Sequence, residues 1–249
     1  MIHQIHLIKQ YWNKSNNYCG SFLIEPVELN QGITLANTLR RVLLNDLSSF
    51  GITGFRINDL KHEFSNFEGI KEDILELKSN LKEIIFKTSL NLIAQENIKL
   101  KGILNIKGPA IITAGMLQLP QKILAVLNPN KYIGTLTTES NFILELDIEK
   151  NSGYFTLDDF YIQTNNYKNE FHTFLMDTNF NPIINVNYKI KLIHDAKGNL
   201  KESIILDIIT NGSITPKRSL QEALKLILNL FYPLLLNATT KNLIAQLST

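Results

Sequence analysis

Residues 21–47 read SFLIEPVELNQGITLANTLRRVLLNDL and carry the clearest secondary-structure signals in the chain. Apolar and polar residues alternate from residue 21 to 29, which predicts a strand that ends in a turn before Gly32. From residue 33 to 47 the apolar residues recur every three or four positions, which predicts a helix. The polar face of this helix carries Arg41. A strand followed at once by an amphipathic helix indicates a fold that mixes α and β structure.

The C-terminal part of the chain predicts a hairpin followed by a second amphipathic helix. Two alternating runs, 186–193 and 203–209, flank the turn-forming sequence DAKGN at 195–199, so we expect them to pair. Thr215 and Pro216 then supply an N-cap and a first helical residue. The helix they start has a broad apolar stripe made of Leu220, Ala223, Leu224, Ile227, Leu228, Phe231 and Leu235.

This apolar stripe needs a cover, because an exposed face of this size is unfavourable in water. Two interpretations stay open from the residues alone: the rest of the chain covers the stripe, or a second copy of the chain does. Pro233 lies inside the stripe, and we expect it to kink or end the helix, because proline lacks the backbone N–H.

Between the two ends of the chain, the sequence predicts a β-rich region that contains one helix. Strand-like alternation recurs there in three stretches, at 51–57, 84–106 and 142–148. Residues 71–82 have helical spacing, and Glu72 and Asp73 are predicted to lie in the first turn, where the helix dipole favours acidic groups. The predicted fold class is therefore α+β.

The charge balance argues against a protein whose main task is to neutralise phosphates. Lys and Arg number 25 against 23 Asp and Glu, a formal net charge of +2. The close basic pairs are Arg40–Arg41 and Lys217–Arg218, without the clustered basic and aromatic face of a nucleic-acid site. A stand-alone nucleic-acid-binding module remains the alternative, and retention of the isolated chain on DNA at moderate salt would favour it.

The residues that usually build catalytic or metal sites do not form such a site here. The single cysteine, Cys19, cannot form an internal disulfide, and the five histidines are too scattered for a zinc site. Phosphate-binding loops and nucleophile or metalloprotease motifs do not occur in the sequence. The carboxylate pair Asp158–Asp159 is expected to be solvated. We therefore expect no metal, no cofactor and no catalytic residue in this chain.

A set of motifs spread over most of the chain matches one protein family. The longest are IEPVE at 24–28 and GITLANTLRRVLL at 32–44. Further matches are HEFS at 62–65, EGIKEDILE at 68–76, GP at 108–109, NP at 128–129, NP at 181–182 and TNGSITP at 210–216. Together these motifs resemble the alpha subunit of bacterial-type and plastid RNA polymerases, in its N-terminal assembly region.

The sequence departs from this family pattern at three positions. Asn30 and Ala36 stand where the family usually has glycine, and Gly115 stands where an acidic residue is usual. Asparagine tolerates positive φ, so the change at position 30 is expected to be mild. Ala36 is expected to alter helix packing slightly. The resemblance is weakest over 137–181.

The resemblance implies two subdomains. Residues 1–48 and 182–249 are expected to form a discontinuous dimerisation subdomain, an antiparallel sheet with two amphipathic helices. Residues 49–181 are expected to form an inserted β-rich subdomain. The family's C-terminal DNA-binding domain is expected to be absent, since only a short segment follows the last predicted helix.

The resemblance also implies partners and contact residues. The predicted homodimer interface consists of Leu35, Leu39, Leu43, Leu224, Ile227, Leu228 and Phe231. The predicted contacts with the beta subunit are Thr34, Asn37, Arg40, Arg41, His62, Glu63, Phe64, Glu68 and Gly69. The predicted contacts with the beta-prime subunit are Asp177, Asn181 and Pro182. Arginine suits such an interface because its planar fork binds carboxylates or carbonyls through two hydrogen bonds, although a lone exposed arginine is more often merely solvated.

The function implied is that of a non-catalytic subunit of DNA-directed RNA polymerase, a nucleotidyltransferase. It would dimerise, carry the beta and beta-prime subunits, and meet DNA only through the complex. Residues 1–9 are too short and polar for a signal peptide and lack the Arg and Ser bias of a transit peptide, so we expect the protein to be made where it works. No membrane association is expected. The expected location is the plastid stroma, with a bacterial cytoplasm as the alternative.

Overall fold

The computed structural model describes residues 4–58, 60, 69–88, 98–120, 123–159, 173–195 and 198–247. The fold is α+β with antiparallel strand pairing, which confirms the predicted class. The chain divides into two compact units. The end unit comprises Met1–Leu47 and Ile183–Thr249, and the insert unit comprises Ser48–Pro182. The predicted boundaries, 48/49 and 181/182, each lie one residue from these limits.

The end unit is built from one four-stranded sheet and two helices. Its elements are β1 (Gln4–Trp12), β2 (Tyr18–Val27), α1 (Gly32–Asn45), β13 (Ile183–His194), β14 (Leu200–Thr210) and α3 (Pro216–Leu247). The strand order is β1-β2-β14-β13. The hairpin predicted near the C-terminus is confirmed as β13 and β14. Its turn closes through Gly198, whose N–H donates to the carbonyl of Asp195 at 2.7 Å.

Helix α1 forms because one side of its sequence is apolar and the other polar, as predicted. Ala36, Leu39, Val42 and Leu43 are buried in the core of the end unit. The sheet contributes Phe22, Ile24, Val27, Ile183, Val186, Ile204, Leu206 and Ile208 to that core, and Leu47, Leu220 and Ala223 complete it. Because α1 buries one face on the sheet, its opposite face is left in solvent.

Helix α3 begins where the sequence predicts and continues further than predicted. The hydroxyl and the carbonyl of Thr215 accept from the backbone N–H groups of Arg218 and Ser219, at 3.3 and 2.9 Å. The helix then runs for 32 residues with Pro233 inside it. The prediction that Pro233 could end the helix is wrong. The residue four positions earlier, Asn229, is exposed, so water can reach the carbonyl that proline leaves without its intrahelical partner.

Strand β1 was not identified from the sequence. It is an edge strand, and eight of its nine residues are exposed. Because neither face of the strand is buried, packing does not require apolar and polar residues to alternate along it. A register shift between Leu7 and Lys9 further breaks the two-residue period. Among the described residues, no helix is both long and apolar enough to cross a membrane.

The insert unit contains most of the strands. Its elements are β3 (Ser48–Ile57), α2 (Ile74–Lys82), β4 (Phe86–Thr88), β5 (Lys99–Lys107), β6 (Ala110–Thr113), a 3-10 turn (Ala114–Met116), β7 (Leu124–Val126), β8 (Tyr132–Leu136), β9 (Asn141–Ser152), β10 (Tyr154–Phe155), β11 (Phe174–Leu175) and β12 (Thr178–Asn179). The main sheet has the order β11-β3-β9-β5, and smaller sheets pair β4 with β7, β6 with β8 and β10 with β12. Its own core includes Phe55, Phe86, Leu104, Phe142 and Leu146.

Helix α2 begins three residues later than predicted, which changes the role of both acidic residues before it. Asp73 is the N-cap, and its carboxylate accepts from the N–H of Glu76 at 2.6 Å. Glu72 lies outside the helix and is buried. Its carboxylate accepts from the N–H of Thr135 at 2.7 Å and from the hydroxyl of Tyr132. A tertiary contact with β8 therefore overrides the dipole preference that the sequence suggested.

Candidate subunit-assembly surfaces

The polar face of α1 is open to solvent. Thr34, Asn37, Arg40 and Arg41 are all exposed. At 100° per residue, Thr34, Asn37 and Arg41 fall on one side of the helix, opposite the buried face. Arg40 lies about 100° round the helix from Arg41, towards the exposed side chain of Ile33. The four residues therefore form a primary face with Arg41 and a flank with Arg40.

This face is partly preorganised by the rest of the end unit. The hydroxyl of Tyr188, on β13, donates to Oδ1 of Asn37 at 2.8 Å. Within the helix, the hydroxyl of Thr38 donates to the carbonyl of Thr34 at 2.8 Å. Holding Asn37 in one rotamer lowers the entropy cost of contacting a partner. The guanidinium of Arg41 and this fixed amide together suit carboxylates and backbone carbonyls on another protein.

Ile33 belongs to this surface, although no sequence pattern singles it out. Its side chain is 53% exposed at the first turn of α1. An apolar side chain beside an arginine is a common anchor at protein interfaces. Tyr188 was also missed, because no local pattern connects residues 151 positions apart.

Most of the second predicted beta-contact segment, His62, Glu63, Phe64 and Glu68, lies outside the described residues. Gly69 is described, and it adopts φ +105°, a conformation that favours glycine. Its carbonyl accepts from the N–H of Thr137 at 2.7 Å and from the Thr137 hydroxyl at 3.0 Å. A side chain at position 69 would overlap the hydroxyl of Thr138. The turn at Gly69 is therefore tied firmly to the segment after β8.

The predicted beta-prime contacts fall in the insert unit with different exposures. Asp177 is partly exposed, and its carboxylate accepts from Nζ of Lys82 at 3.0 Å. This hydrogen bond lowers the pKa of Asp177, although partial burial opposes the shift. Asn181 is partly exposed, and its N–H donates to Oδ1 of Asn179 at 3.0 Å. Pro182 is buried, so it shapes the turn and has little surface for a partner.

The residues predicted to form a dimer interface separate into two groups. Leu39 and Leu43 are 1% and 0% exposed inside the end-unit core, so they have no surface to offer a second copy. Leu35, Leu224 and Ile227 are partly buried against that core. Leu228 and Phe231 are 63% and 54% exposed. They belong to a group of eight exposed large hydrophobic residues on α3, namely Leu226, Leu228, Leu230, Phe231, Tyr232, Leu234, Leu235 and Leu236.

Comparison with known proteins identifies the family. A family model described as "RNA polymerase Rpb3/RpoA insert domain" matches residues 55–181. The protein named DNA-directed RNA polymerase subunit alpha from Phaeodactylum tricornutum is 39% identical over 224 residues, 90% of this chain and 68% of that protein.

Proteins of the same name from two other organisms match over a similar extent. The one from Mesostigma viride is 40% identical over 92% of this chain and 69% of that protein. The one from Pyropia yezoensis is 37% identical over 92% of this chain and 70% of that protein. This chain belongs to the alpha-subunit family of DNA-directed RNA polymerases.

Proposed function

We propose that this chain pairs with a second copy of itself and carries the beta and beta-prime subunits of an RNA polymerase. The exposed apolar half of α3 carries this proposal. Eight large hydrophobic side chains stand exposed between residues 226 and 236, which is far more than a free surface helix normally presents. In this function the chain holds the beta and beta-prime subunits in position, and its own residues take no part in the nucleotidyl-transfer reaction.

Two copies would cover each other's apolar helix surface. Leu228 and Phe231 lie on the same stripe of the helix as Leu220 and Ala223, but further along it than these buried residues, so the end-unit core leaves them exposed. An isologous pair would bury the same patch twice, which is how most homodimers close. Leu39 and Leu43 would support this interface from behind, because they fix α1 on the sheet.

The beta subunit would bind the polar face of α1. Its exposed cationic and amide groups match an acidic or carbonyl-rich partner surface, and Ile33 adds an apolar anchor beside Arg40. The turn at Gly69, in the insert unit, would form a separate contact with the beta subunit. Asp177 and Asn181 would serve the beta-prime subunit, with the Lys82 ion pair holding the Asp177 carboxylate in place.

We place this function in the plastid stroma, with DNA contacted only through the assembled polymerase. The support is the source of the relatives, which include proteins from Phaeodactylum tricornutum, Mesostigma viride and Pyropia yezoensis. A bacterial cytoplasm is the alternative location.

The decisive experiment combines solution mass with co-purification of the beta subunit from the same organism. Light scattering should give twice the chain mass for the wild type and for Arg41→Ala. Beta should co-purify with the wild type but be strongly reduced with Arg41→Ala, because loss of an interface arginine costs about 2 kcal/mol or more. Lys217→Ala removes an exposed cation elsewhere in the end unit and should leave beta binding unchanged.

Two results would contradict the proposal. A folded wild-type monomer that does not bind beta would exclude the scaffold role. Retention of the isolated chain on DNA at moderate salt would instead favour a stand-alone nucleic-acid-binding module.

A further inference from the structure

The first turn of α1 lacks the usual means of stabilising a helix N-terminus. The N-cap residue, Gln31, makes no side-chain capping hydrogen bond, and the first turn contains no acidic residue. The first N–H groups of a helix have no partner within it and must find one elsewhere. Here the partner comes from a strand 170 residues away in sequence.

Glu202, on β14, supplies that partner. Its Oε2 accepts from the N–H of Gly32 at 2.8 Å, and its Oε1 accepts from the N–H of Asn30 at 3.1 Å. Both oxygens of one carboxylate are therefore used on the turn that leads into α1. A negative charge at this end of the helix is also favoured by the helix dipole.

The neighbouring residues add a second contact between β14 and the segment before α1, and they leave room for the contact that Glu202 makes. Lys201, also on β14 and nearly buried, donates from Nζ to Oε2 of Glu28 at 2.5 Å. Gly32 has no side chain, and a Cβ built there would overlap the Glu202 carboxylate. Apart from the Glu202 carboxylate, the nearest described atom is Cγ2 of Ile190, at an ordinary 3.5 Å. Glycine at position 32 therefore makes room for the Glu202 carboxylate, and a positive φ is not the reason for it.

We infer that Glu202 is a positioning residue for beta recruitment, acting through α1 rather than by touching the partner. By holding the N–H groups of Asn30 and Gly32, it fixes where the helix starts and therefore which way Thr34, Asn37 and Arg41 face. Tyr188 fixes the same face one turn later through Asn37. This inference rests on the proposed function, in which that face binds the beta subunit.

The test measures the affinity of the full chain for the beta subunit from the same organism in a set of variants. Glu202→Ala should weaken binding about five-fold, the factor expected for one lost capping interaction. Glu202→Gln should lie between it and the wild type, because an amide keeps one acceptor oxygen. Gly32→Ala should weaken binding as Glu202→Ala does, by displacing the carboxylate. The double variant Gly32→Ala/Glu202→Ala should be no weaker than Glu202→Ala alone.

Two controls separate positioning from general damage. Ile208→Val removes one methyl group from the end-unit core, lowers stability, and should leave beta affinity unchanged. Glu25→Gln removes a carboxylate charge from the adjacent strand β2 and should also leave it unchanged. All variants should keep the dimer mass of the wild type.

The outcomes distinguish this inference from the proposed function. Wild-type affinity in Glu202→Ala, together with loss of binding in Arg41→Ala, would overturn the role of Glu202 and leave the scaffold function standing. An equal loss in Ile208→Val would show that stability, not positioning, controls binding, and would also overturn it. Failure of the wild type to bind beta would remove the proposed function and this inference with it.

Discussion

Several backbone positions depend on the single residue that occupies them. Asn30 adopts φ +66°, so asparagine replaces the family's usual glycine at a position that needs positive φ, as the sequence led us to expect. Ala36 is fully buried in the end-unit core, where its methyl group packs. Gly69 and Gly198 both adopt positive φ, but their surroundings differ, and this difference gives a test.

Gly69→Ala should destabilise the insert unit by about 3 kcal/mol. Alanine would have to adopt φ +105°, a conformation that residues with a side chain rarely adopt. Its methyl group would also overlap the Thr138 hydroxyl. Gly198→Ala is the matched control, because its φ is +79° but no atom of the described residues lies within 4 Å of the added Cβ. It should cost about 1 kcal/mol, the backbone term alone. Urea unfolding of both variants measures the difference, and equal losses would show that the Thr138 contact is unimportant.

Among the secondary-structure elements, α1 and α3 differ in how much of their apolar surface the end unit covers. Helix α1 is amphipathic in the ordinary sense, with one face in the core and one in water. Among the side chains of α3 that the structure describes, Leu220 and Ala223 are buried in the end-unit core, Leu224 and Ile227 are partly buried against it, and residues 228–238 are exposed. Propensity alone does not sustain such an apolar helix in water, so its continuation past Pro233 argues for a partner surface.

The double variant Leu228→Glu/Phe231→Glu should convert the proposed dimer to a folded monomer. Two copies carry four of these side chains, each worth roughly 2 kcal/mol when buried, so the loss of about 8 kcal/mol should raise the dissociation constant about a million-fold. Analytical ultracentrifugation over a concentration series measures this shift. Circular dichroism should show an intact sheet, because neither residue lies in the end-unit core.

Lys225→Glu provides the control for added negative charge on the same helix, since Lys225 is exposed. It should leave the dimer intact. A dimer that survives Leu228→Glu/Phe231→Glu would place the self-association surface elsewhere in the chain.

At the scale of the whole molecule, the described residues form two hydrophobic cores, and none of these residues belongs to both. One is built by β2, β13, β14, α1 and the start of α3, and the other by the strands of the insert unit with α2. Each core lies within one of the two compact units. Core damage in one unit should therefore remain local.

Leu206→Ala should destabilise the end unit by about 2–5 kcal/mol, and Leu104→Ala should do the same for the insert unit. Both leucines are fully buried. Native-state hydrogen exchange should show lost protection in the unit that carries the substitution and unchanged protection in the other. An even loss over both units in either variant would mean that they unfold as one cooperative body.

Local signals in the amino-acid sequence were enough to predict the elements on which the candidate surfaces lie. The strand before α1, the helix itself, the β13–β14 hairpin and the Thr215 cap were all predicted, because side-chain period, turn residues and capping residues act over a few positions. The motifs spread along the chain also indicated the family, since each is a short run of particular residues. These signals identified α1 as a two-faced helix that carries Arg41.

Contacts between distant parts of the chain, in contrast, were set by the tertiary structure. Glu72 reaches β8, Tyr188 holds Asn37, and Glu202 binds the turn before α1, each across many residues of intervening sequence. Burial of Leu39 and Leu43 beneath the sheet, and exposure of Leu228 beyond it, followed from packing in the same way. A local pattern shows that a side chain is apolar or charged, but its partner depends on how the whole chain closes on itself, which no short window of sequence contains.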